Sequence, residues 1–231
     1  MKDVERYEKK FVLDEARALH FSKSVRQFLP VDPHGNEDGY FVRSIYFDTP
    51  HDRDLKMALA GEDDRRKIRL RVYAPDSNYA KLEVKQKKGS LIRKRSFTVP
   101  RETAERLLKG DYSPLEASEN RFIRALGREM MLGVYRPKCT VEYRREAYGI
   151  PENDTRVTFD RYLAASEGTP DLFTSRLASQ PVSWLGTVVL EVKYANFLFT
   201  YVNRALGETL SQPDSFSKYC LARQKIKKGR I

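Results

Sequence analysis

The chain has 231 residues, enough to bury a substantial core as one large domain or two small ones without disulfide or metal staples. Its 43 Lys and Arg against 32 Asp and Glu give a formal net charge of +11, which favours polyanionic partners: nucleotides, polyphosphate, nucleic acid or an anionic membrane surface. Cys139 and Cys220 have no metal-ligand spacing, and no apolar run approaches the roughly 20 residues that span a bilayer, which argues against a structural zinc site and a transmembrane segment.

The chain opens Met1-Lys2-Asp3-Val4-Glu5 with no apolar stretch behind it, so no signal peptide is expected and the expected location is the cytoplasm. A first strand around Arg6-Tyr7-Glu8-Lys9-Lys10 leads to a predicted helix over Asp14 to Phe28, anchored by Ala16, Leu19, Val25 and Phe28 and stopped by Pro30 and Pro33. Tyr40 to Asp48 reads as a strand and His51 to Ala60 as a short helix, followed by a solvated connector at Glu62-Asp63-Asp64-Arg65-Arg66. Strands at Lys67 to Tyr73, Ala80 to Lys87 and Leu91 to Val99 are separated by Pro75-Asp76-Ser77-Asn78 and Lys88-Gly89-Ser90, the signature of antiparallel hairpins. Helices are predicted at Arg101 to Lys109 and Glu116 to Leu132, then strands at Pro137 to Tyr148, Thr155 to Leu163 and Thr187 to Lys193. The end reads as helical, at Phe199 to Glu208 and Ser217 to Lys227. No internal repeat interrupts this order, and a single domain over 1–231 is the economical expectation.

Several strands alternate charge with apolar bulk: Lys67-Ile68-Arg69-Leu70-Arg71, Leu82-Glu83-Val84-Lys85, Glu142-Tyr143-Arg144-Arg145 and Leu190-Glu191-Val192-Lys193. Successive side chains of a strand point to opposite faces, so each such strand has one basic face and one apolar face. The amphipathic helices need apolar sheet to cover, which turns the apolar faces outward and the charged faces inward. The expected architecture is therefore α+β: a closed antiparallel β-barrel with helices packed outside and a charged tunnel within. Close cations repel one another, so such a tunnel calls for a bound anion.

The order of the short motifs is the specific signal: Lys10-Phe11, Ser44-Ile45-Tyr46-Phe47-Asp48, Arg69-Leu70-Arg71, Leu82-Glu83-Val84-Lys85, Tyr143-Arg144-Arg145-Glu146-Ala147-Tyr148, Phe159-Asp160, Leu190-Glu191-Val192-Lys193 and Phe216-Ser217-Lys218-Tyr219. In this order the chain resembles the VTC-type polyphosphate polymerase domain, within the triphosphate tunnel metalloenzymes that also contain the CYTH phosphatases and cyclases. The resemblance implies a triphosphate tunnel with Lys10, Arg69, Arg71, Lys85, Arg93 and Arg145 as phosphate ligands, and it leaves open which of Arg144/Arg145 and of Arg93/Lys94/Arg95 faces inward. Arginine suits phosphate oxygens with planar paired donors, so an Arg-x-Arg pair fits this role better than two lysines would. Arg156 joins the ATP- and phosphate-binding candidates because it shares a strand face with Thr158 and Asp160. The resemblance further implies Glu191 as ligand of a divalent Mn²⁺ or Mg²⁺, assisted by Glu8 or Glu83 unless those hold neighbouring cations, and Lys218 as a catalytic lysine near the reacting phosphate.

Two departures bear on the activity. Hydrolytic CYTH members begin Glu-x-Glu-x-Lys, whereas this chain has Arg6 where the first Glu would stand. Ser215 occupies a position where eukaryotic polymerases often carry another lysine. The expected activity is transfer of the ATP γ-phosphate to a growing inorganic polyphosphate chain. A tunnel triphosphatase and a non-catalytic polyphosphate binder are the alternatives, and sequence-specific nucleic-acid binding lacks any motif. Competing plain readings make Glu191 a salt-bridge partner of Lys193 or an arginine, Lys218 a surface lysine at a helix end, and Asp160 the residue that orients an arginine. His20, His34 and His51 have no ligand spacing and are read as structural, and Trp184 as core or tunnel rim.

Overall fold

A computed structural model of the protein describes residues 2–4, 7–33, 35, 39–89, 91–167, 171–182, 186–209 and 217–228. In chain order these form β1 (Lys2–Val4), β2 (Tyr7–Asp14), α1 (Glu15–Arg26), β3 (Tyr40–Asp48), α2 (Arg53–Ala60), β4 (Asp64–Val72), β5 (Tyr79–Lys88), β6 (Leu91–Pro100), α3 (Arg101–Leu108), α4 (Ser113–Glu116) and α5 (Arg121–Leu132). Then follow β7 (Arg136–Ile150), a single 3₁₀ turn (Glu152–Asp154), β8 (Thr155–Glu167), β9 (Gln180–Pro181), β10 (Thr187–Tyr194), α6 (Thr200–Thr209) and α7 (Lys218–Lys228). Arg6, His34, Trp184, Ser215 and Phe216 lie outside the described residues.

The strands make one 10-stranded sheet in the order β1-β6-β5-β4-β3-β7-β8-β10-β2, with β9 beside β8. Every pairing is antiparallel. The expected barrel closed by hydrogen bonds is corrected here: among the described residues β1 at one end of the ladder pairs only with β6, and β2 at the other pairs only with β10. Curling still brings the two sides together, because Lys85 of β5 reaches Glu8 of β2 at 3.0 Å. The sheet is thus a wrapped one whose ladder is open among the described residues, consistent with a tunnel.

The outer face is covered in two regions. Ile68, Leu70, Leu82 and Val84 pack under Leu107 of α3 and Met130 of α5. Phe11, Val157, Phe159 and Leu190 pack under Phe21 and Val25 of α1 and Val202 of α6. Alternation puts these apolar residues opposite Lys67, Arg69, Lys85, Lys10 and Glu191, so the helices fix which face the charges take. The buried stripe of α1 is Ala18, Phe21, Ser22 and Val25, an i, i+3, i+4, i+7 set, whereas the expected anchors Ala16 and Leu19 are exposed. Asp14 caps this helix by accepting from the Arg17 amide at 2.8 Å.

Three further differences from the sequence reading have local causes. The predicted helix over Glu116 to Leu132 starts later, as α5 at Arg121, because Asn120 caps it by accepting from the Phe122 and Ile123 amides, while Glu116 ends the separate α4. The expected connector at Glu62 to Arg66 instead contributes the start of β4, where Arg66 donates to the Tyr135 hydroxyl at 2.6 Å. Finally, α7 packs inside the sheet: Tyr219, Cys220 and Ala222 share a cluster with Val42, Tyr46, Val141 and Tyr143, which lie on the same face as the cations. Among the described residues no helix is long and apolar enough to cross a membrane.

Candidate functional site

The inward face encloses a cavity of about 300 Å³ lined, among the described residues, by ten basic side chains and two carboxylates. Strand register arranges them in rows. Lys67, Lys85 and Lys94 stand side by side across β4, β5 and β6, and Glu191 of β10 stands opposite Lys10 of β2. The expected residues Lys10, Arg69, Arg71, Lys85, Arg145, Arg156, Glu191 and Lys218 all line this cavity. Arg93 does not, which corrects its assignment to the inward face. It pairs with Gln86 while its neighbour Lys94 pairs with Lys85, so alternation turns Arg93 out to solvent and Lys94 in. Of the other open pair, Arg145 is inside and Arg144 is exposed.

Each carboxylate in or behind the wall is bracketed by cations. Glu83 accepts from Arg69 at 2.7 Å, faces Arg71 at 3.7 Å and contacts Lys94. Glu8 sits between Lys10 at 2.7 Å and Lys85 at 3.0 Å. Asp160, fully buried, takes both arms of Arg145 at 2.6 and 2.7 Å and Lys218 at 2.6 Å. Glu191 is held by Lys218 at 3.0 Å, Lys193 at 3.0 Å and Arg145 at 3.7 Å. The plain readings of Asp160 as an orienter and Glu191 as an ion-pair partner thus describe real contacts. Arg71 also donates to Ser44 at 3.0 Å and Tyr143 at 3.2 Å, and Arg69 to Tyr46 at 2.9 Å, so phenol oxygens fix the guanidinium planes. Arg156 pairs with Asp32 at 2.9 Å and donates to the Tyr40 hydroxyl at 2.9 Å.

Electrostatics follow from this crowding. Burial opposes ionisation of Glu8, yet Lys193, Lys10 and Lys85 outweigh it and hold the carboxyl well below the usual range. The same contest leaves Glu83, Asp160 and Glu191 depressed, Glu191 through Lys193, Lys218 and Lys10. Lys218 loses solvation, but Asp160 and Glu191 raise its pKa above the ordinary lysine value. Lys67 goes the other way: burial first, then Lys10, Lys85 and Arg65 around it, bring it down to about 8. Lys94 also falls to about 8, through burial and the nearby Arg69 and Arg71, despite Glu83.

Lys218 reaches the cavity from the first position of α7, and the next residue explains why. The Tyr219 hydroxyl donates to Asp48 at 2.7 Å and its ring stacks on Tyr46 at 4.9 Å. Asp48, fully buried at the end of β3, also accepts from the amides of Thr49, Asp54 and Leu55 and so caps α2. The Ser44-to-Asp48 motif and the described end of the second motif, Ser217 to Tyr219, are therefore one physical joint. Lys67, Lys193, Tyr46 and Tyr143 were not among the expected site residues, and Lys94 was one of three candidates left open for the inward position. Alternation with Arg69 and with Glu191 already points to Lys67 and Lys193, whereas Lys94 depends on strand register.

A hard divalent cation that takes most of its shell from substrate phosphates and water needs one or two protein carboxylates. Glu191 and Glu8 meet that need, and among the described residues no group of three or more His, Cys, Asp or Glu offers a fuller cage. The residues fit a metal that arrives with its anion.

The VTC domain family matches residues 5–227. The chain belongs to the VTC domain family. No curated protein sequence matches it. Among solved structures, a candidate adenylate cyclase from Bacillus halodurans is similar with a TM-score of 0.56 at 15% identity, covering 94% of this chain and 97% of its own. A candidate adenylyl cyclase from Hippeastrum, described as having a dominant triphosphatase activity, is similar with a TM-score of 0.58 at 15% identity over 96% of both chains. A candidate adenylate cyclase from Vibrio parahaemolyticus has a TM-score of 0.52 at 12% identity, covering 96% of this chain and 98% of its own. These structures share the fold with this VTC domain.

Proposed function

We propose that the protein is a metal-dependent polyphosphate polymerase that moves the γ-phosphate of ATP onto phosphate or a growing inorganic polyphosphate chain and releases ADP. Residues 1–231 are read as one domain serving this activity. The observation that carries the reading is that, among the described residues, every carboxylate on the cavity wall is ion-paired to two or more cations. A hydrolase must take a proton from water, and a general base works best with a pKa near the working pH. Carboxylates held deprotonated this firmly are weak bases. A polyphosphate terminus is already an oxyanion and needs none.

In this reading Arg69, Arg71 and Arg145 grip phosphate oxygens with paired donors, Lys10, Lys85 and Arg156 add charge along the path, and Lys218 neutralises the transferred phosphoryl group. The bond between the γ-phosphorus and the β–γ bridging oxygen breaks, its electron pair leaves with ADP, and an acceptor phosphate oxygen bonds the γ-phosphorus. Glu191, with Glu8 beside it, would hold Mn²⁺ or Mg²⁺, which when bound neutralises phosphate oxygens as a Lewis acid. Asp160 keeps Arg145 and Lys218 spaced, and exclusion of bulk water favours the phosphate acceptor. The dominant triphosphatase activity described for the Hippeastrum relative supports tunnel triphosphatase as the second reading. Incubation with ATP and Mn²⁺ separates the readings: polymer with ADP supports the polymerase, free phosphate alone supports the hydrolase, and intact ATP with retained polyphosphate binding leaves a binding module.

A further inference from the structure

The cations of the inner face do not stop where the cavity does. On β4 the inward positions run Arg71, Arg69, Lys67 and then Arg65, and on β5 Lys85 is followed by Lys87, which pairs directly with Arg65. Arg65 and Lys87 lie outside the cavity lining, beyond Lys67 and Lys85, and both are half-buried at the strand ends. What changes at this boundary is the counter-charge. Inside, Glu83 and Glu8 neutralise Arg69, Lys94, Lys10 and Lys85, whereas Lys67, next to the boundary, donates to the Ser217 hydroxyl and has no carboxylate partner among the described residues. Outside, Lys87 has no hydrogen-bond or ion-pair partner among the described residues, and the Arg65 guanidinium is shown donating only to the Glu62 carbonyl, at 2.7 Å. The acidic neighbour Asp64 falls on the opposite face by alternation and accepts from Gln86 at 3.1 Å.

From Arg71 to Arg65 there are three two-residue steps, a basic row of about 20 Å at the usual strand rise. A three-phosphate anion is too short to occupy it, whereas a linear polyanion with charge at every repeat matches it. We propose that Arg65 and Lys87 form an outer track that binds the part of a long inorganic polyphosphate chain emerging from the cavity at the start of β4. The proposal rests on the polyphosphate reading of the cavity and adds the direction in which the polymer leaves. Neutralised cations deeper in the cavity let the chain slide, and unneutralised ones from Lys67 outward hold it near the mouth.

The test is titration calorimetry of the full chain with tripolyphosphate and, separately, with long-chain polyphosphate, comparing wild type with R65E/K87E and with the charge-keeping R65K/K87R. The expected result is tripolyphosphate affinity unchanged within about twofold in both variants, with long-chain affinity down by about tenfold or more in R65E/K87E alone and a shallower salt dependence. Equal losses for both ligands, or no loss for either, would overturn the track while leaving the cavity reading intact. Failure of the wild type to bind either ligand would overturn the cavity reading, and the track with it.

Discussion

Glu191 and Lys218 share one ion pair yet have separable roles at the level of single side chains. Glu191→Gln keeps the shape and removes the charge that a cation needs, so turnover of ATP should fall about 100-fold or more while tripolyphosphate still binds the arginines. Steady-state kinetics beside calorimetry would read the two effects. Lys67 and Lys94 carry the pH dependence. Their folded-state pKa values of about 8 lie below the usual lysine value of 10.5. Below pH 8 both are charged in the folded protein at the cost of desolvation and repulsion, and that cost is relieved as pH rises toward 10.5. A bound polyanion favours the charged form again, so binding at pH 9 should take up protons, and affinity should fall as pH rises through 8. Calorimetry at pH 9 in two buffers of different ionisation enthalpy measures that uptake, and Lys67→Arg should reduce it. Most of this wall was legible from alternation and motif order, because Lys10, Arg69, Arg71, Lys85 and Glu191 lie in strands whose apolar face is unmistakable. Arg93 was misplaced because Arg93-Lys94-Arg95 is basic at every position, and only the pairing of Lys94 with Lys85 selects the inward one.

Secondary-structure elements set the position of the reactive groups, and two joints stand out. The first ties α7 to β3 through the Tyr219 hydroxyl and Asp48. Tyr219→Phe keeps the ring stack on Tyr46 but removes the donor, so it should cost about 0.5–1.5 kcal/mol in denaturant unfolding and lower turnover more than substrate binding. The second is the entry to β3 at Gly39, whose backbone has φ +76 and where an added Cβ would lie 2.6 Å from the Arg145 carbonyl oxygen. Gly39→Ala should destabilise the protein by about 1–3 kcal/mol and disturb the strand that carries Arg145. Neither joint is visible as a local pattern. Strands and hairpins such as Tyr40 to Asp48 announce themselves through period-two alternation and turn residues, whereas the inward packing of α7 depends on Tyr46 and Tyr143 offering aromatic surface on an otherwise charged face. The α1 stripe was misread for a related reason: its true buried set includes Ser22, which donates to Glu146 at 2.7 Å and so is buried without being apolar.

At the scale of the whole molecule, a wrapped sheet gathers ten basic side chains of this +11 chain against two carboxylates in one cavity, whose inner cations repel unless an anion is present. A polyanion that binds only the folded protein should therefore raise the melting temperature, by an amount equivalent to about 2.7 kcal/mol at a hundred times its dissociation constant, and salt should erode the effect. The fold class and the tunnel-like arrangement follow from patterns along the chain. That β1 and β2 stand at the two ends of the described ladder does not, since strand partners are set by pairing across the sheet rather than by a local pattern. In the polymerase reading, firmly ion-paired carboxylates make this cavity a poor hydrolase and leave a phosphate oxyanion as the acceptor. The most direct test of that reading is to incubate the purified protein with ATP and Mn²⁺ and separate the products by chain length. The expected products are ADP together with long-chain polyphosphate. Free phosphate with ADP and no polymer would contradict it.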